Sequence, residues 1–159
     1  MVEVFKWTKA CLAILLAAAF LLSVGCGRGG SPVVPVSGQV LMDGEPLATG
    51  IPGFIQVVPT SGRPATGPID PQTGRFSLST VEPGDGCIQG THKVIVIMQQ
   101  MVGQESESLV PVRYTELEMT DLSVTIDGPT DSLTIELTGP LKPVLPGSKT
   151  PVEDDPFKF

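Results

Sequence analysis

The sequence predicts an all-β fold, a single antiparallel β-sandwich that follows an N-terminal signal helix. Three observations carry this. Short segments after residue 35 alternate apolar and polar side chains with period two, as strands with one wet face do. Clusters of Gly, Pro, Asp and Thr punctuate them at close intervals, and Gly supplies the positive φ that tight turns need. No amphipathic helical stretch occurs after the leader, and about six or seven short strands without helices pack most naturally as two facing sheets.

The leader comes first. Lys6 and Lys9, with Glu3 among them, precede an apolar run from Ala10 to Val24 that only Ser23 interrupts. At about 15 residues the run is shorter than the roughly 20 that span a bilayer and matches a signal-peptide core. It closes on Leu22-Ser23-Val24-Gly25-Cys26, and this ending resembles the lipobox of bacterial lipoproteins. Leu22 stands four residues before the cysteine, where the commonest pattern has Leu three before. The resemblance implies cleavage after Gly25, with residues 1–25 as signal peptide. It also implies lipid attachment at Cys26 through a diacylglyceryl thioether, with palmitate-type acyl chains, and so a membrane partner.

Cleavage would remove Cys11 with the leader and leave Cys87 as the only thiol beyond the lipid cysteine, so no intramolecular disulfide is expected. The whole chain carries a formal charge of −7, and losing Lys6, Lys9 and Glu3 makes the remainder more acidic. An acidic balance argues against nucleic acid or anionic lipid as the partner.

Residues 26–35, rich in Gly, Ser and Pro, read as a flexible leash. The folded part is expected over 36–138. Its strand candidates are Val36 to Met42, Phe54 to Val58, Arg75 to Ser79, His92 to Met98, Leu122 to Asp127 and Leu133 to Thr138. Val94 to Met98 is apolar on both faces, which predicts a central strand covered on both sides. Pro129-Thr130-Asp131 predicts a hairpin-like return between the last two strands, and Asp43-Gly44, Asp70 to Gly74 and Pro83 to Gly86 predict turns. Residues 139–159, with Pro140, Pro143, Pro146, Pro151 and Pro156, read as a disordered, extended tail ending in Phe157-Lys158-Phe159.

In order along the chain, Val36-Ser37-Gly38-Gln39-Val40, Asp43-Gly44-Glu45-Pro46-Leu47, Phe54 to Pro59, Asp70 with Gly74 and Phe76, Pro83 to Gly86 with Gly90, Lys93 to Val96, and Val110 to Tyr114 resemble the carboxypeptidase-regulatory-like domain. This transthyretin-like (prealbumin-like), immunoglobulin-like β-sandwich is found in small envelope lipoproteins. The resemblance covers residues 35–138 and implies a non-catalytic module, structural or protein-binding, whose partner would be another envelope protein. Gly27 after the lipid cysteine lacks the Asp that retains lipoproteins at the inner membrane, which favours the outer membrane.

Catalysis has little to work with. His92 is the single histidine; it reads as a strand-entry residue near the surface, and a Cys87–His92 pair is the one arrangement with the residue types of thiol chemistry. Cys87 is expected to be unreactive, with Asp85 nearby disfavouring a thiolate. No enzyme activity, cofactor or metal is therefore expected. The alternative is loop-mediated carbohydrate or calcium binding. Asp70, Asp85, Glu105, Glu107 and Asp127 lie on turns where carboxylates could converge, although no D-x-D-x-D-G loop is present. For sugar stacking only Tyr114 and the phenylalanines remain once Trp7 leaves with the leader, and Phe54 and Phe76 are expected in the core.

Overall fold

Eleven strands and one 3₁₀ turn build residues 32–148, the part of the chain that the computed structural model describes. The signal segment 1–25, Cys26, the leash as far as Ser31 and the terminal Phe157-Lys158-Phe159 lie outside the described residues.

The strands are β1 (Val33–Val34), β2 (Val36–Met42), β3 (Glu45–Pro46), β4 (Gly53–Pro59), β5 (Ala65–Ile69), β6 (Arg75–Ser77), β7 (Cys87–Ile88), β8 (Gly90–Val102), β9 (Glu105–Ser108), β10 (Ser123–Ile126) and β11 (Thr130–Leu137). The main sheet runs β10-β8-β4-β5-β6-β2-β11, with β3 on β2 and β9 on β8, while β1 and β7 form a separate ladder. Every pairing is antiparallel except that of β11 with β2.

The period-two signal decides which face each strand buries. On β2 Val36, Val40 and Met42 are buried while Ser37, Gln39 and Leu41 are partly exposed. On β11 Ile135 and Leu137 are buried and Thr134 and Glu136 exposed. These side chains join Ile55 and Val57 of β4, Ile69 of β5, Phe76 of β6 and Val94, Val96 and Met98 of β8 in one hydrophobic cluster. Each such burial is worth about 1.5–3 kcal/mol against the entropy of ordering the chain. Asp43 (φ 50°) and Gly44 (φ 84°) make the two-residue turn that joins β2 to β3, the geometry for which an Asp-Gly pair is suited. The Asp70–Gly74 turn joins β5 to β6 and delivers Phe76 to the core, as its turn chemistry predicts.

Several expectations change. β8 is longer than the apolar run that announced it and lies between β10 and β4, as a central strand should. Its outer face is only partly covered, with Ile95 buried and Ile97 half-exposed. The hairpin expected around Pro129 does not form: β10 pairs with β8 and β11 with β2, so the two strands occupy opposite ends of the sheet path. Alternation identifies the buried face of a strand but not its neighbour. Phe54 is 43% exposed rather than in the core. It sits out of phase with Ile55 and Val57, opposite Pro68 and Ile97 on the outer face.

Both supposed appendages are partly structured. Val33 and Val34 of the expected leash pair with Ile88 and Cys87, and Val34 is buried. The first stretch of the expected tail is bound along β8 and β9: the Lys142 N–H donates to Leu109 O at 2.9 Å, and Lys142 Nζ meets Glu107 at 2.8 Å. Proline removes donors from this strap, but the N–H groups of Lys142 and Leu145 and the carbonyl of Pro143 still find partners.

Candidate functional site

The chain enters the domain at the β1–β7 ladder, and the residues singled out for thiol chemistry lie beside it. Gln89 N donates to Pro32 O at 3.2 Å, which extends the ladder by one bond beyond Val33 and Val34. Beside it the segment from Ser79 to Gly86 folds over Val34. The Gly86 N–H donates to Leu78 O at 3.0 Å, and the Gly86 α-carbon lies so close to the Val34 carbonyl that no Cβ would fit. With φ at 93°, Gly86 also occupies a backbone conformation that only glycine adopts freely.

Asp85 organises this loop. Its carboxylate accepts the N–H groups of Thr80 at 2.6 Å, Val81 at 2.9 Å and Glu82 at 3.0 Å. The backbone bonds from Thr80 and Glu82 favour the ionised form and hold the Asp85 carboxyl below its usual value of 3.8. Gly84 N donates to Ser79 Oγ at 2.8 Å, and Thr80 Oγ1 donates to Gly86 O at 2.8 Å. The loop is stiff because its polar groups are satisfied internally.

Cys87 follows directly and is buried. Burial pushes its thiol up to about 11, so desolvation, rather than the charge of Asp85, which is turned to the loop amides, is what disfavours the thiolate. His92 is 2% exposed, not a surface residue. Its Nε2 lies 2.7 Å from Ile88 O and so must carry the ring proton, while Nδ1 is buried without a partner. The imidazole is held by a carbonyl and has no hydrogen bond to Cys87, so the two residues are neighbours in the fold without the contact that general-base activation of a thiol requires.

The carboxylates considered for calcium are separated and mostly engaged. Asp70 accepts from Thr73 Oγ1 and from the N–H groups of Thr73 and Gln72, bonds that lower its pKa and close the β5–β6 turn. Glu107 is lowered by its bond and charge contact with Lys142. Among the described residues no three His, Cys, Asp or Glu side chains converge as a metal site would need. Tyr114 is also occupied. Its hydroxyl meets Arg113 Nη2 at 2.7 Å and the Thr138 N–H at 3.0 Å, with the Arg113 guanidinium 4.6 Å from the ring centroid. It is 3% exposed and offers no free face to a sugar.

A shallow groove of about 420 Å³ lies beside β8, with Val58, Pro59, His92, Lys93, Leu117 and Ser123 among its lining. Lys93 Nζ is tied to Leu117 O at 3.0 Å, and the imidazole of His92, whose Nδ1 has no partner, is the one aromatic ring in the lining. The loop-end position of Val81 escaped sequence reasoning; its signal was an apolar residue between the polar Thr80 and Glu82. No family model matches this chain, and no curated protein or solved structure matches it either.

Proposed function

We propose that this chain is a lipid-anchored β-sandwich module of the bacterial cell envelope, held to the membrane through Cys26 and acting as a non-catalytic structural or protein-binding part. The observation that carries the reading is the leader itself: basic residues, an apolar run of signal length, then Gly25-Cys26. A short Gly/Ser-containing segment follows, and the folded domain starts by Pro32. Two or more acyl chains hold a protein stably at a bilayer where one does not, which is what lipidation at such a cysteine would supply.

The buried thiol of Cys87 and the carbonyl-bound imidazole of His92 support the non-catalytic part of the reading. The order of motifs from Val36 to Tyr114 supports a carboxypeptidase-regulatory-like relationship, and Gly27 after the cysteine supports the outer membrane. The partner in this reading is another envelope protein. The test is metabolic labelling with a fatty acid in cells producing the full chain. Label on the native protein and none on Cys26→Ser is the expected result, and equal label on both would overturn the anchor. Crosslinking in those cells, followed by identification of the captured protein, tests the binding role.

A further inference from the structure

We infer that the end of the domain bearing the β1–β7 ladder rests against the lipid bilayer, with Val33 and Val81 at the contact. The inference depends on Cys26 being the anchor and adds a defined orientation to it. Only five residues, Gly27 to Ser31, separate Cys26 from Pro32. At no more than about 3.6 Å per residue, the chain from the lipid cysteine to Pro32 spans roughly 20 Å at full extension. From Pro32 onward the chain is bonded to β7, so the slack ends there and this end of the domain is confined to the membrane surface.

The surface presented there is suited to a bilayer. Val81 is 67% exposed, the most exposed large apolar side chain among the described residues, and Val33 of the ladder is 41% exposed. Both are displayed on rigid backbone: Val33 by strand pairing and Val81 by the loop that Asp85 ties together from within. The loop carries two acids: three backbone N–H groups surround the Asp85 carboxylate, while Glu82, exposed beside Val81, would keep its carboxylate at the level of the headgroups. With a chain this acidic, attraction to anionic headgroups is not the driving force; apolar contact enforced by the short tether is.

β8 provides the ruler for the opposite end. Val102 lies twelve residues beyond Gly90 along that strand, about 40 Å at 3.3 Å per residue, and its side chain is 38% exposed. The domain would therefore stand with its far turns and the proline-containing strap directed away from the lipid.

The experiment uses the full-length lipidated protein in neutral phosphatidylcholine vesicles, with a small environment-sensitive dye on Val81→Cys, Glu82→Cys or Val102→Cys. Cys87 is left in place, since its buried thiol does not compete for label. A nitroxide carried on the lipid should quench the dye at 81 and 82 several-fold more than at 102, and a water-soluble quencher should show the reverse order. Equal quenching at all three positions, in protein that floats with the vesicles and is released by Cys26→Ser, would overturn the orientation while leaving the anchor intact. Flotation unaffected by Cys26→Ser would overturn the anchor, and the orientation with it.

Discussion

The Leu145 N–H donates to Gln100 Oε1 at 3.0 Å, and the Nε2 of the same side chain donates to Pro143 O at 3.1 Å. Gln100 is fully buried; its Oε1 is bonded from a proline-containing strap that sequence composition assigns to disorder, and its Nε2 is shared between that strap and Glu107 Oε2 at 3.4 Å. A buried amide deprived of its partners costs about 1–3 kcal/mol. A chain ending at Gly139 should therefore melt several degrees below one ending at Ser148, at about 4 °C per kcal/mol for a domain of this size. Gln100→Ala should reproduce much of the loss. Equal melting temperatures for the two truncations would show that the strap contributes nothing.

Tyr114 fastens the end of β11. Its hydroxyl accepts the Thr138 N–H at 3.0 Å and the Arg113 Nη2 donor at 2.7 Å, and lies 3.2 Å from Thr138 O as donor. Tyr114→Phe keeps the ring but strands the Thr138 amide at a partly buried site. Urea unfolding should show a loss of about 1–3 kcal/mol with an unchanged denaturant slope.

Asp85 makes the domain acid-sensitive in a defined window. Bonds from Thr80 and Glu82 lower its folded pKa below 3.8, so its contribution is complete above the unfolded value and is lost as pH falls through the folded one. Melting curves of native protein and Asp85→Asn should differ most at neutral pH and converge below about pH 4. A gap that persists unchanged to pH 2 would mean that the carboxylate's charge is irrelevant to the loop.

Cys87, with its thiol pushed up to about 11, is almost wholly protonated at neutral pH. Thiolate is then about one part in ten thousand, and the side chain is buried as well. A maleimide or disulfide reagent at pH 7 should modify the folded protein only at the rate of unfolding, and at once in denaturant. Fast modification without denaturant would show that the β1–β7 ladder opens readily.

How far these features could be read from sequence depended on whether they were local. Val36, Val40 and Met42 announced β2, and Asp43-Gly44 announced its turn, because a strand face and a two-residue turn are written in adjacent residues. β5 was hidden by Gly67 and Pro68, and β9, Glu105-Ser-Glu-Ser, has no apolar alternation at all. The β11–β2 pairing joins residues about a hundred apart, and no local pattern names that partner. At the candidate site the residue types of Cys87 and His92 were legible, but His92's burial and its bond to Ile88 O arise only once β7 and β8 are placed.

Gly38 shows how one residue carries such a distant pairing. It lies opposite Leu133 in the parallel β2–β11 ladder, just where the register shifts between Thr130 and Leu133. A Cβ on Gly38 would run into the Leu133 carbonyl, a backbone group that cannot rotate away. Gly38→Ala must therefore push β11 outward along the segment that buries Ile135 and Leu137. The expected cost is about 1–3 kcal/mol or more, typical of forced overpacking, with faster amide exchange from Leu133 to Leu137. Ser37→Ala, on the neighbouring partly exposed position, should stay within about 0.5 kcal/mol. If the two variants prove equally stable and β11 remains equally protected, the close approach of these strands is not what fixes their register.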